Sequence, residues 1–223
     1  MANSYSIVPL NETTALVSFG NIIDIHINER VIALHQALSK NPFDGFIESV
    51  PAYSSLAVFY RQPARFETVR RFLDDLKPSE EASRLNQPLI EVPALYDGDD
   101  LNFVAEQHQL SREQVISIHA SKSYRVFMLG FLPGFSYMGT VDDKIATPRK
   151  NSPRTVVPAG SVGIAGKQTG IYPQSSPGGW QLIGRTPLKI FDAKRGVPCL
   201  LNPGDSVKFY SITKAEFENL NEY

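Results

Sequence analysis

The sequence predicts an α+β protein in two parts, a small ββαββα unit over residues 1–82 and a β-rich unit over residues 83–223. Two observations predict it. In the first part, pairs of short strand-like runs are each followed by a segment with helical apolar spacing. In the second, from Tyr124 onward, short β-like runs are separated by Gly and Pro, which reads as a barrel or a sandwich and not as a parallel α/β sheet. The polar, acidic stretch Ser79–Gln87 is the linker candidate.

Each element has its own signal. Tyr5–Pro9 and Ala15–Phe19 are strand-like, with the turn-prone Asn11-Glu12 between them. Asp24 is placed to cap a helix reaching Ser39, in which Ile25, Val31, Ile32, Leu34 and Leu38 recur at mainly helical spacing. Phe46–Val50 and Ser55–Tyr60 read as a strand pair across Pro51-Ala52. Arg65–Leu76 is amphipathic through Val69, Phe72, Leu73 and Leu76, and Lys77-Pro78 ends it because a residue before proline avoids the helical region. Pro88–Leu95 restarts as a strand. Asp99–Gln107 and Ser111–Ser121 are expected to be helical, the second opened by the capping box Ser111…Gln114. The turn Asn202-Pro203-Gly204-Asp205 precedes the last strand, Val207–Ile212, and Lys214–Asn219 is a terminal helical turn.

Composition excludes several classes. Hydrophobic residues make up 42% of the 223, enough for a core. A net charge of −1 argues against nucleic acid as a partner, since phosphate binding needs a basic excess. No run approaches the roughly 20 apolar residues of a membrane helix, and the N-terminus lacks a secretory signal pattern. Cys199 stands alone, without a second thiol for a disulfide or a shared metal. The expectation is a soluble, cytoplasmic, reduced protein with no metal site of its own.

The function is expected between Gly130 and Gly184, which hold ten of the fifteen glycines. That stretch carries five Lys and Arg against two acids, together with Tyr137, Tyr172 and the only tryptophan, Trp180. Main-chain amides, cations and aromatic faces together suit a small anionic ligand. Ala159–Lys167 resembles a phosphate loop, but its first glycine is misplaced, Gln168 replaces the Ser or Thr that would hold a metal, and no helix follows. A backbone nest built on Gly160, Gly163 and Gly166 remains, against ordinary glycine turns. Ser136 in Gly134–Met138 lacks the closing glycine of a nucleophile elbow and reads as a turn serine, and Cys199 as an inert thiol. His26, His35 and His108 carry no role. His119, near the end of the capped helix, is either a charge on the helix terminus or a proton carrier at the site. Arg149 and Arg154, in P-R-x-x-x-P-R, each follow a proline that restrains the backbone, and a guanidinium fork pairs well with carboxylate or phosphate. Gln168, Tyr172 and Trp180 are expected to line the pocket or to pack one end of a barrel.

Several motifs in fixed order carry a family resemblance: G-F-x-P-G-F-x-Y (130–137), P-R-x-x-x-P-R (148–154), V-P-A-G-S-V (157–162), Y-P-x-x-x-P-G-G-W (172–180) and N-P-G-D (202–205), with the run Phe43–Tyr60. The chain resembles the B subunit of bacterial ATP-dependent 5-oxoprolinase, a family also described as Kip-inhibitor-like or allophanate hydrolase subunit 1, whose domain recurs in urea carboxylase. The resemblance implies a cyclophilin-like β-barrel after the N-terminal unit, partnership with the C and A subunits, and ATP as co-substrate, with magnesium. It implies opening of the lactam of 5-oxoproline to glutamate by phosphorylation of the lactam oxygen and attack by water. In that setting His119, Arg149 and Arg154 are the expected catalytic residues, and Gly160, Gly163, Gly166, Gln168, Tyr172 and Trp180 the ligand-binding ones. The resemblance also allows a regulator that inhibits a sporulation-type histidine kinase through its barrel.

Overall fold

A computed structural model describes residues 5–78 and 88–220. The chain forms two compact units, Met1–Gln87 and Pro88–Tyr223. The linker candidate Ser79–Gln87 and the expected boundary at 82/83 lie outside the described residues.

In the first unit, β1 (Ser6–Asn11), β2 (Thr14–Ser18), β3 (Phe46–Pro51) and β4 (Ser55–Tyr60) make an antiparallel sheet in the order β1-β2-β4-β3. The helices α1 (Ile25–Lys40) and α2 (Phe66–Asp75) complete the ββαββα order. Asp24 caps α1 as expected, accepting the Ile27 N–H at 3.0 Å. Alternation along β2 and β4 turns Ala15, Val17, Leu56, Val58 and Tyr60 inward, where they pack with Val31, Leu34, Leu38, Val69 and Leu73 of the helices.

The second unit begins with β5 (Leu89–Ala94), α3 (Leu101–Gln107) and α4 (Arg112–Ser121), the last opened by the Ser111–Gln114 capping box. There follow β6 (Ser123–Leu129), β7 (Ser136–Gly139), β8 (Arg154–Val157), β9 (Ser161–Ala165), β10 (Gln168–Ile171), β11 (Ser176–Gly178), β12 (Gln181–Arg185), β13 (Ser206–Ser211) and α5 (Lys214–Leu220). Seven strands form one sheet in the order β12-β9-β10-β7-β6-β13-β5, and β8 and β11 form a separate ribbon. Within that sheet β13 and β5 run parallel, and the other neighbours are antiparallel. The expected barrel is realised as a curled sheet whose edges meet at one end. There Leu95, just past β5, exchanges two 2.9 Å backbone bonds with Arg185 of β12.

That seam needs glycine. A Cβ on Gly184 would lie 2.6 Å from the Leu95 carbonyl oxygen, and one on Gly98 would collide with the Leu182 carbonyl. Backbone cannot yield as a side-chain tip does. Gly184→Ala is therefore expected to destabilise the protein by about 1–3 kcal/mol, the usual cost of overpacking. Thermal unfolding checks this; an unchanged Tm would mean that the edges are not held together at Leu95–Arg185.

Candidate functional site

The loop between Pro148 and Arg154 is stitched to the start of β12. The Pro148 carbonyl accepts Gln181 Nε2–H at 2.9 Å, and the Lys150 N–H donates to the Gly179 carbonyl at 2.7 Å. The main tie is Asp100, which precedes α3 but makes no side-chain cap there. Its carboxylate turns to the loop instead. It accepts Arg154 Nη2 at 2.6 Å on both oxygens, Lys150 Nζ at 3.0 Å and the Leu182 N–H at 2.7 Å. Burial alone would raise the Asp100 pKa, but the hydrogen bonds from Arg154, Leu182 and Lys150 outweigh it and hold the carboxyl below its usual range.

Two of the loop's three cations, Lys150 and Arg154, thus share one carboxylate partner, Asp100. Arg149 is the exception. It is exposed, has no carboxylate partner among the described residues, and holds its guanidinium carbon 5.8 Å from the centre of the Trp180 ring. It borders two hollows. On one side, an open hollow of about 200 Å³ is lined by Arg149, Phe131, Phe135, Tyr137, Tyr172 and Trp180 with the Pro177–Gly179 turn. Phe135 stands edge-on to Tyr172 at 5.0 Å and to Trp180 at 5.3 Å, so three rings fix one wall. Gly178 is required there, because a Cβ would run into the Tyr172 ring. Burial raises the pKa of both Tyr137 and Tyr172, with the Arg149 charge opposing the rise, so both phenols stay neutral hydrogen-bonding groups near pH 7. On the other side of Arg149 lies a cleft of about 430 Å³ bordered by Phe103, Gln107, Thr147, Lys150 and Gln181. One unpaired cation beside rigid aromatic walls can hold the carboxylate of a small, partly apolar ligand.

Arg149, Tyr172 and Trp180 therefore come together as expected. The other expected residues do not. Arg154 is committed to Asp100, and its side chain is 20% exposed. The amide nest is filled from within: the Gly160 N–H donates to the Tyr172 carbonyl and the Gly166 N–H to the Thr147 carbonyl, both at 2.7 Å, while Gly163 lies in the β9 ladder. Positive φ at Gly160 (79°) and Gly166 (58°) explains those two glycines as turn residues. Gln168 begins β10, paired with Ala165 and Gly139, and borders neither hollow.

His119 is corrected outright. It is 0% exposed, stacked on Tyr124 and tilted against Phe209 in the core. Its Nδ1 lies 2.8 Å from the Tyr96 hydroxyl and its Nε2 2.9 Å from Thr169 Oγ1. Thr169 donates its own proton to the Gly163 carbonyl at 3.0 Å, so it accepts from Nε2–H, and Nδ1 accepts from Tyr96. Burial lowers the imidazole pKa to about 3, so the ring stays neutral across the physiological range. It is a core hydrogen-bond bridge. Ser136 is likewise no turn serine; it lies in β7, wholly buried.

This ring-lined hollow beside Arg149, on a curled β-sheet, is accompanied by a clear kinship. The chain belongs to the family described as carboxyltransferase domain, subdomain C and D, whose model matches residues 5–201. Its relatives include the 5-oxoprolinase B subunit of Bacillus subtilis (strain 168), 43% identical over 100% of this chain and 99% of that protein. The corresponding B subunit of Escherichia coli O157:H7 is 40% identical over 90% and 93% of the two chains. Among solved structures, TTHA0988 superposes with a TM-score of 0.82 at 39% identity, over 90% of this chain and 40% of that longer one. The resemblance carried by the motifs is borne out.

Proposed function

We propose that this chain acts as the B subunit of an ATP-dependent 5-oxoprolinase and that its barrel unit holds the cyclic amide for ring opening. Full-length kinship with proteins named for that subunit supports the reading. The observation that carries its chemistry is Arg149, a cation without a carboxylate partner among the described residues, held over Trp180 at the rim of an aromatic pocket.

In this reading Arg149 takes the substrate carboxylate in its fork, and Phe135, Tyr172 and Trp180 exclude water from the ring. Tyr137 and Tyr172 act as neutral hydrogen-bonding groups beside it. Fixing the lactam in a dry, oriented pose lowers the barrier to transfer of the ATP γ-phosphoryl group onto its oxygen. ADP leaves at that transfer; water then attacks the ring carbon and the C–N bond breaks to give an acyl phosphate of glutamate, which a second water hydrolyses to glutamate and phosphate. ATP and the A and C subunits belong to this proposal as co-substrate and partners. Among the described residues no three His, Cys, Asp or Glu side chains converge as a metal cluster, and magnesium belongs to this proposal as the companion of the ATP phosphates. No helix among them is long and apolar enough to cross a membrane. The regulatory reading is not favoured, since the full-length relatives carry the enzyme's name.

Co-expression with candidate A and C subunits tests the proposal. ADP release that depends on 5-oxoproline is expected only when this chain is present; equal rates without it would end the enzymatic reading.

A further inference from the structure

Phe131 lines the aromatic pocket in a backbone conformation that is costly for its side chain. Its φ is +68°, a region costly for a bulky L residue, and the Leu132 N–H donates to the Gly130 carbonyl at 2.8 Å around it. This is the rare, strained form of γ-turn. The turn gains little burial in return: Phe131 is 62% exposed, touching Phe135 edge-on at 5.6 Å. A glycine would make the same turn without strain. The sequence already has glycine on one side, at Gly130, and again at Gly134, so the phenyl ring at 131 is the feature to be explained. Strain of this kind collects at ligand clamps.

We infer that Phe131 is a specificity-determining wall, closing over the apolar face of a five-membered cyclic amide whose carboxylate is held by Arg149. The inference rests on the reading that this pocket receives the lactam, and adds what selects it. The ring methylenes of such a ligand need an apolar cover on the solvent side. Phe135, Tyr172 and Trp180 supply the inner wall, and Phe131 is the one aromatic side chain lining the pocket that is mostly exposed. An open-chain amino acid of similar charge would meet Arg149 equally well but would fill the space under the ring poorly.

Trp180 is this chain's only tryptophan, so in the isolated chain its fluorescence reports on this pocket, and isothermal titration calorimetry reads binding in the assembly. The full-length chain, alone and assembled with the A and C subunits, is titrated with 5-oxoproline and with glutamate. A saturable change is expected with 5-oxoproline at lower concentration than with glutamate. Phe131→Gly is expected to weaken 5-oxoproline binding roughly tenfold and to narrow its margin over glutamate, while Tm stays the same or rises because the turn is relieved. Phe131→Tyr, which keeps the ring, is expected to bind like the parent. Unchanged affinity in Phe131→Gly overturns the inference, as does a fall in Tm with binding intact, which would make the ring structural. No saturable response in either form of the parent protein also overturns it. ADP release measured in parallel separates the two proposals. Release that requires this chain but ignores Phe131→Gly sinks only the wall, whereas release that never requires the chain sinks the enzymatic reading even if Trp180 responds.

Discussion

Arg149→Ala is expected to lower 5-oxoproline-dependent kcat/KM by a hundredfold or more, about 2.7 kcal/mol of transition-state stabilisation at 1.36 kcal/mol per decade. The size follows from the geometry. Lys150 and Arg154 are held by Asp100, so neither is free to replace the lost charge. Stability should barely move. Arg149 is exposed, and its visible interaction is the approach to Trp180, worth about 0.5–1 kcal/mol at an exposed site. Arg149→Lys should recover only part of the rate, because an ammonium cannot grip a carboxylate with two parallel bonds. The measurement is steady-state ADP release by the assembled enzyme, with thermal unfolding as control. Near-parental kcat/KM in Arg149→Ala would remove the residue from the site.

The sequence treats Arg149 and Arg154 as equivalent, and their difference shows what a linear reading can reach. Both follow proline in the same local pattern. What separates them is Asp100, more than fifty residues upstream of Arg154, inside the stretch Asp99–Gln107 that reads only as a helix. No local signal pairs it with the basic loop. The elements themselves are legible because their signals are local: the Asp24 cap, the Ser111 capping box, the alternation in Ser55–Tyr60 and the Asn202–Asp205 turn all appear where expected. The glycines are half legible. Their abundance marks tight backbone, but whether a glycine N–H faces a ligand or a neighbouring strand depends on tertiary pairing, and Gly160 and Gly166 face strands and loops. His119 misleads for a related reason. Its place near a helix end suggests exposure, but that helix packs on β13 and turns the ring inward to Tyr96 and Thr169. Phe131 carries no usable signal, since an exposed phenylalanine and a buried one look alike in sequence.

Asp100→Asn is expected to lower both stability and activity, unlike Arg149→Ala. Removing one member of a buried ion pair usually costs roughly 3–5 kcal/mol. Here Arg154 and Lys150 are 20% and 34% exposed and can be solvated in part, so about 2–3 kcal/mol is expected, a Tm drop on the order of 8 °C. Activity should fall as well, because Asp100 ties down the loop that presents Arg149; the loss should appear mainly in KM if the loop becomes mobile. Arg154→Ala should resemble Asp100→Asn rather than Arg149→Ala, since it strips the same carboxylate of its fork. The pH dependence identifies the group. The folded Asp100 carboxyl titrates below the ordinary 3.8, so its contribution is fully present above that value and is lost as pH falls through the lower folded pKa. The parent should therefore lose stability faster than Asp100→Asn below about pH 4, and their unfolding free energies should converge in acid. A constant gap between the two from neutral pH down to acid would show that the carboxylate is not the clamp holding the Arg149 loop.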